Sequence, residues 1–233
     1  MKKILMIAAM MVATMTASAQ YEQGTFSLQP KIGATASQLS NLPDLNLSDL
    51  NIPEINQTLE KTPTGGAMVG VEAEYQALKW LGISAGVHFS EQGSGWKDQK
   101  IKVDGEDAKI KDTKINTTNI LVPVTANFYI VKGLAFRTGV QFGFLTRAEL
   151  KTTVEGKEDD AKLRSTYEQK CTDEFKKFDI SIPIGISYEF NNHIVLDMRW
   201  NQGISKVNKE SEKGQKDSRN QVLLLSVGYK FKL

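Results

Sequence analysis

The sequence predicts an all-β fold, an eight-stranded antiparallel up-and-down barrel that crosses a membrane, and three observations carry that reading. From Thr25 onward apolar and polar residues alternate with period two in short segments, the pattern of strands with one apolar and one polar face. The connections between segments alternate between tight turns and stretches of about 15 to 30 residues, far beyond an ordinary hairpin loop. The polar face is crowded with Gly, Ser and Asn, which suit the cramped lumen of a small barrel. Short periplasmic turns at one end and long extracellular loops at the other describe an outer-membrane barrel.

The first residues stand apart from that pattern. Lys2 and Lys3 precede an apolar run from Ile4 to Ala13, and Ala17-Ser18-Ala19 supplies the small residues accepted at a cleavage site. Residues 1–19 therefore read as a secretory signal peptide and residues 20–233 as one barrel domain. Beyond the leader no apolar run approaches the ~20 residues of a spanning helix. Without Lys2 and Lys3, the 29 basic residues fall to the same number as the 27 acidic ones, so there is no electrostatic case for nucleic acid. The lone Cys171 excludes an intrachain disulfide and a Cys-based zinc site.

The strands follow in order. Phe26, Leu28, Ile32 and Ala34 alternate with Ser27, Gln29, Lys31 and Gly33 in the first. Ala67, Val69, Val71, Ala73 and Tyr75 mark the second, and Leu81, Ile83, Ala85, Val87 and Phe89 the third. The fourth sets Ile120, Val122, Val124, Ala126 and Phe128 against Asn119, Pro123, Thr125 and Asn127. The fifth sets Leu134, Phe136, Val140, Phe142 and Phe144 against Arg137, Gly139, Gln141 and Gly143. The sixth, from Lys177 to Phe190, alternates without a break, which no helical period allows. Ile194, Leu196, Met198 and Trp200 form the seventh, and Leu223, Leu225, Val227, Tyr229 and Phe231 the eighth. Strands of about 9 to 11 residues match a tilted bilayer crossing. Tyr75, Trp80, Phe128, Tyr129, Tyr188, Phe190, Tyr229 and Phe231 gather near the short-turn end and read as an interfacial girdle.

If the apolar face meets lipid, the charges on the other face are enclosed. Glu72, Glu74, Asp179, Glu189 and Asp197 then oppose Lys31, Arg137, Arg199 and Lys230 in the lumen. With no ring of a single sign, the reading is a salt-bridged plug that holds the barrel shut, not a selectivity lining. His88 shares that face with Ser84, Ser90 and Glu72, but no nucleophile elbow accompanies it, so no catalytic residue is assigned. No metal site or cofactor is assigned either.

The first long loop carries a five-residue repeat from Asn41 to Ile55, and its Leu42, Leu45, Leu47, Leu50, Ile52 and Ile55 form either a binding surface or a lid over the barrel mouth. Val103-Asp104-Gly105-Glu106 contains a hairpin signal, so the flanking strands are expected to run past the membrane. Glu158-Asp159-Asp160 and the stretch from Lys206 to Arg219 read as solvated loops.

Three motifs carry a family resemblance. Asn119-Ile120-Leu121-Val122-Pro123-Val124 leading to Gly133-Leu134, Phe178-Asp179-Ile180-Ser181-Ile182-Pro183-Ile184-Gly185, and the closing Ser226-Val227-Gly228-Tyr229-Lys230-Phe231 resemble the PorT-type family of small outer-membrane β-barrels. The resemblance implies bacterial outer-membrane location and insertion by the barrel assembly machinery; the namesake takes part in secretion. The function expected is a non-catalytic structural or interaction scaffold that displays surface loops to a protein partner while its wall meets outer-membrane lipid. The alternatives are a narrow solute channel or an accessory component of a secretion apparatus, with a membrane enzyme third.

Overall fold

The computed structural model describes residues 22–41, 45–46, 58–103, 106–158, 161–209 and 217–233. The signal-peptide reading of residues 1–19 lies outside them. Eight long strands form: β1 (Phe26–Ser40), β2 (Thr64–Leu78), β3 (Leu81–Trp96), β4 (Glu106–Val131), β5 (Leu134–Glu158), β6 (Phe178–Glu189), β7 (Ile194–Gly203) and β8 (Arg219–Tyr229). Each pairs antiparallel with its neighbours in sequence, and β1 pairs with β8, Ile32 opposite Val227 and Ala34 opposite Leu225. The ring of pairings is therefore closed, which satisfies every strand from both sides and leaves no edge for lipid to meet.

Side-chain parity is inverted relative to a water-soluble barrel. Ile32, Val69, Val87, Phe89, Ile184, Ile186, Met198 and Leu225 are all exposed, whereas Lys31, Glu72, His88, Arg137, Asp197 and Arg199 are buried. Burying the charged face and exposing the apolar one is stable only where the surroundings are hydrocarbon. Among the described residues no helix is long and apolar enough to cross a membrane.

Three turns close one end. Lys79-Trp80 joins β2 to β3, Lys132-Gly133 joins β4 to β5, and Phe190 to His193 joins β6 to β7. Gly133 holds φ 86°, and a Cβ there would stand 2.5 Å from the Glu189 carbonyl oxygen, so the turn needs a glycine. Proline marks two local gaps. The β3–β4 ladder lapses between Ala85–Val124 and His88–Leu121, around Pro123, and the β5–β6 ladder between Ile184–Thr138 and Ser181–Gln141, around Pro183. Each proline lacks the N–H a continuous ladder would use.

Parity also corrects one girdle residue. Tyr75, Tyr188, Phe190, Tyr229 and Phe231 do point outward, but Tyr129 is buried, because it follows outward-facing Phe128 by one residue.

At the other end the strands do not stop at the membrane. Strands β4 and β5 are 26 and 25 residues long, well beyond a bilayer crossing. Their outer halves stay paired, and two further strands flank them: Gln99–Val103 pairs with β4, and Ala161–Lys170 with β5. The result is a four-stranded antiparallel sheet raised above the barrel. The expected strand extension around Val103 and Glu106 is present, with Val103 opposite Glu106. Ala161–Lys170 folds back along β5, Glu158 facing Ala161, because Thr152 to Glu155 and Arg164 to Tyr167 carry a β-branched and aromatic pattern that pairs across the two strands, while Asp159 and Asp160, read as solvated loop, lie outside the described residues. Lys111–Glu155 and Lys151–Glu168, each 2.7 Å, tie the exposed faces and hold both carboxyls below the usual carboxylate range through the lysine hydrogen bonds.

Where the sheet leaves the barrel, a small apolar cluster covers the mouth. Leu39, Ala148, Cys171, Phe175 and Val207 are buried together, with Ile115, Leu145 and Leu150 packed against them. Backbone bonds knit the covering segments: Cys171 N donates to Ala148 O at 3.0 Å, Lys176 N to Val207 O at 2.7 Å and Lys209 N to Glu174 O at 3.1 Å. Residues 206–209, read from sequence as solvated loop, contribute Val207 to this cover because its side chain meets Phe175 over the opening.

Closure of the ring has a direct readout. The unboiled protein is expected to migrate differently from the boiled one on a detergent gel, because a ring with no free edge unfolds only as a whole. A single band with and without boiling would contradict the closed ring.

Candidate functional site

Inward-facing charges from five strands converge inside the barrel. Glu72 of β2 stands at the centre: Arg137 Nη2 donates to its Oε2 at 2.6 Å, Arg199 Nη2 to its Oε1 at 3.0 Å, and Lys31 Nζ lies 2.9 Å from Oε2. Asp197 Oδ2 accepts from Arg199 at 2.9 Å and from Arg137 Nη1, with Lys31 Nζ at 3.6 Å. His88 Nε2 is 3.1 Å from Glu72 Oε1. Three cations and one imidazole thus surround two carboxylates, all with side chains at most 3% exposed. Arg199 exposes 1% of its surface, so these charges are compensated by one another and not by bulk water.

A second layer lies toward the short turns. Tyr129 OH donates to Glu74 Oε1, Asn127 Nδ2 to Glu74 Oε2 at 2.6 Å, and Lys230 Nζ to Glu74 Oε1 at 3.1 Å. Glu189 Oε2 is 3.5 Å from Lys230 Nζ, and its Oε1 lies 3.2 Å from His193 Nδ1. Arg137 Nε, donating to Asn127 Oδ1 at 2.8 Å, joins the two layers. Together the layers hold Lys31, Arg137, Arg199 and Lys230 against Glu72, Glu74, Glu189 and Asp197, an even balance of charge.

The glycines of the polar face make room for this. A Cβ on Gly86 would sit 2.6 Å from Glu72 Cγ, and one on Gly70 would sit 2.4 Å from His88 Cδ2. Small residues beside large charged ones are what filling so narrow a cylinder requires.

Of the charges grouped from sequence, Asp179 stands apart. It faces Gly143 at the extracellular start of β6, whereas Arg137 faces Gly185, six residues further along and so roughly 20 Å away. Alternation sorts side chains into faces but not into levels. Asp179 instead lines a small space of about 30 Å³ under the apolar cover with Asn119, Lys176 and Asn220. His88, which shares the inward face with Glu72, belongs to the central layer. Asn127 and Ser84, on the inward face by parity, and Tyr129, expected in the girdle, join these layers through partners that nothing in the sequence sets.

Leu42, Leu47, Leu50, Ile52 and Ile55 of the loop repeat lie outside the described residues, as does the choice between a lid and a binding surface there. Leu45 falls in a two-residue strand, Leu45–Asn46, paired with Thr58–Leu59. The described cover over the mouth is built by other segments, those bearing Cys171, Phe175 and Val207. Among the described residues no three of His, Cys, Asp and Glu are placed to hold a metal ion.

Solved structures with similar folds include the attachment invasion locus protein Ail of Yersinia pestis, at 12% identity and a TM-score of 0.42 over 90% of this chain and 100% of that one. The outer membrane protein OprG of Pseudomonas aeruginosa aligns at 13% identity and 0.40, over 92% and 99%. Neisserial surface protein A aligns at 14% and 0.37, over 88% and 97%. Comparison with curated protein sequences finds no significant match. The family model of the outer membrane protein beta-barrel domain matches residues 18–209, which takes in seven of the eight strands and both charge layers up to Arg199, and the chain belongs to that family of bacterial outer-membrane barrels.

Proposed function

We propose that this barrel is a non-catalytic, non-conducting scaffold whose working surface is the raised extracellular sheet. The observation that carries the reading is the contrast between the two ends of β4 and β5. Inside the barrel their side chains are consumed by packing and ion pairing; outside it they continue as a sheet whose flanking strand Ala161–Lys170 is exposed from Arg164 to Lys170, free to be specific. Tyr167, 64% exposed on Ala161–Lys170, is the type of side chain that anchors protein contacts. Within the family we place the chain nearest the PorT-type barrels, on the motifs around Pro123, Pro183 and Tyr229.

The test has two arms. Purified protein in a planar bilayer is expected to give no steady conductance, since two charged layers and an apolar cover lie in series. In living cells, a photo-crosslinking residue at Tyr167 is expected to trap a discrete protein partner, whereas one at lipid-facing Val140 traps none. Stable ion-selective steps would replace the scaffold by a channel. Identical adducts at both positions would remove the sheet as the working surface.

A further inference from the structure

The barrel ring has no edge, but the raised sheet above it has two. The longer is the strand Ala161–Lys170, ten residues against five in Gln99–Val103. It pairs with β5 along its whole length, from Ala161 opposite Glu158 to Lys170 opposite Glu149, and with no other strand among the described residues. The register runs without a bulge and the strand holds no proline, so nothing bends or blocks its outer side. From Arg164 to Lys170 every residue is exposed, whichever face it points to. The outer main-chain N–H and C=O groups therefore stand in a row with strand spacing, the arrangement that accepts one more strand.

Parity sorts the side chains along this edge. Arg164, Thr166, Glu168 and Lys170 lie opposite Glu155, Thr153, Lys151 and Glu149 on one face, and Tyr167 lies opposite Thr152 on the other. Leu150 packs against the cover of the mouth, so the face it shares with Thr152 and Tyr167 turns toward the mouth and the face of Arg164 turns outward. The acids of the outward face are already engaged: Glu155 by Lys111 and Glu168 by Lys151, each at 2.7 Å, and Glu149 by Arg147. Lys170 makes no ion pair among the described residues, and Arg164 reaches Glu155 only at 3.9 Å. Two under-compensated cations thus stand roughly 20 Å apart along the strand, with Tyr167 midway between them on the opposite face.

We propose that this edge takes an extended segment of a partner protein as an additional strand, one with acidic residues at the spacing of Arg164 and Lys170 and an apolar residue midway. This rests on the reading of the raised sheet as the working surface and adds the class of partner. Main-chain bonds supply the pairing, a carboxylate opposite each of Arg164 and Lys170 supplies the charge, and the apolar residue covers Tyr167. The pattern is symmetric about Tyr167, so it reads the same for a parallel and an antiparallel segment. A second copy of the chain does not fit. Two barrels in one membrane raise this strand in the same direction and to the same height, so their edges could meet only in parallel, with Arg164 beside Arg164 and Lys170 beside Lys170.

A labelled threonine peptide with two aspartates at that spacing and a valine midway, titrated against the full protein in detergent micelles and followed by fluorescence anisotropy, tests this. It is expected to bind, and its asparagine counterpart to bind roughly tenfold more weakly or worse. Arg164→Gln should weaken the aspartate peptide roughly tenfold, as for the loss of one hydrogen bond to a charged group, while heat-dependent migration shows the barrel still folded. Main-chain pairing has its own readout. Only alternate residues of an added strand turn their N–H toward the edge, so of two peptides methylated at alternate backbone nitrogens, in complementary sets, one should lose binding and the other keep it. No binding of the aspartate peptide, or an unchanged affinity in Arg164→Gln, overturns the proposal. So does equal behaviour of the two methylated peptides, which would leave a face that reads charge alone and suits an anionic polymer. If the cross-linker at Tyr167 traps a partner in cells while any of these peptide results fails, the sheet remains the working surface and only strand pairing falls.

Discussion

A Glu72→Gln barrel is expected to lose about 3–5 kcal/mol of stability, the range for removing one partner of a buried ion pair. The substitution is nearly isosteric, so packing is unchanged and the effect is electrostatic. In the central layer Lys31, Arg137 and Arg199 share Glu72 and Asp197, so loss of Glu72 leaves three buried cations on one carboxylate. The same layer makes a sharper statement about Arg137. Removing it leaves Lys31 and Arg199 against Glu72 and Asp197, a locally balanced set, so Arg137→Met should cost less than Glu72→Gln although Arg137 makes as many bonds. Urea titration of the folded fraction in vesicles, read from gel migration, measures both. Equal losses in the two variants would show that bond number, not charge balance, governs this layer.

The second large effect is expected at the mouth. Cys171, the one cysteine of the chain, is buried under the apolar cover, and that burial pushes its thiol up from the ordinary range. It should react slowly with a water-soluble maleimide. Phe175→Asp puts a charge into the cluster of Leu39, Ala148, Cys171 and Val207 and should lift the cover, raising the labelling rate on the order of 100-fold as local opening becomes the dominant state. Conductance should stay absent, since the charged layers lie deeper. If labelling is fast in the unmodified protein, the cover is not closed; if Phe175→Asp conducts, the charged layers are not a seal.

What sequence made legible here is set by period two. Parity assigned Ile184 to lipid and Asp197 to the lumen without further information, because a strand offers only two faces and the ring has only two environments. It also contained the answer for Tyr129, whose aromatic character outweighed its position next to Phe128. Height along the axis is another matter. It depends on which residue faces which across each ladder, and that register separated Asp179 from Arg137 and joined His88 to Glu72. The raised sheet was half visible, through the hairpin signal at Asp104-Gly105, while its partner between Glu158 and Ala161 carried acids that resemble a solvated loop. The cover at Phe175 and Val207 gave no periodic signal, since it is made by short segments meeting over an opening whose shape the strands create.

The closed ring and the charged layers have a joint consequence for how the chain reaches its final state. Seven of the eight ladders join strands adjacent in sequence, so hairpins can form early at small entropic cost; only β1 with β8 brings the two ends together. The central layer draws Lys31 from β1, Glu72 from β2, Arg137 from β5 and Asp197 and Arg199 from β7, so it has no complete set of partners until that last seam zips. A curled but open sheet would hold those groups half-compensated against hydrocarbon, a state of high free energy. Ion pairing thus makes the final step of assembly steep and all-or-none, and a barrel weakened at Glu72 should linger as an open intermediate as well as be less stable once closed.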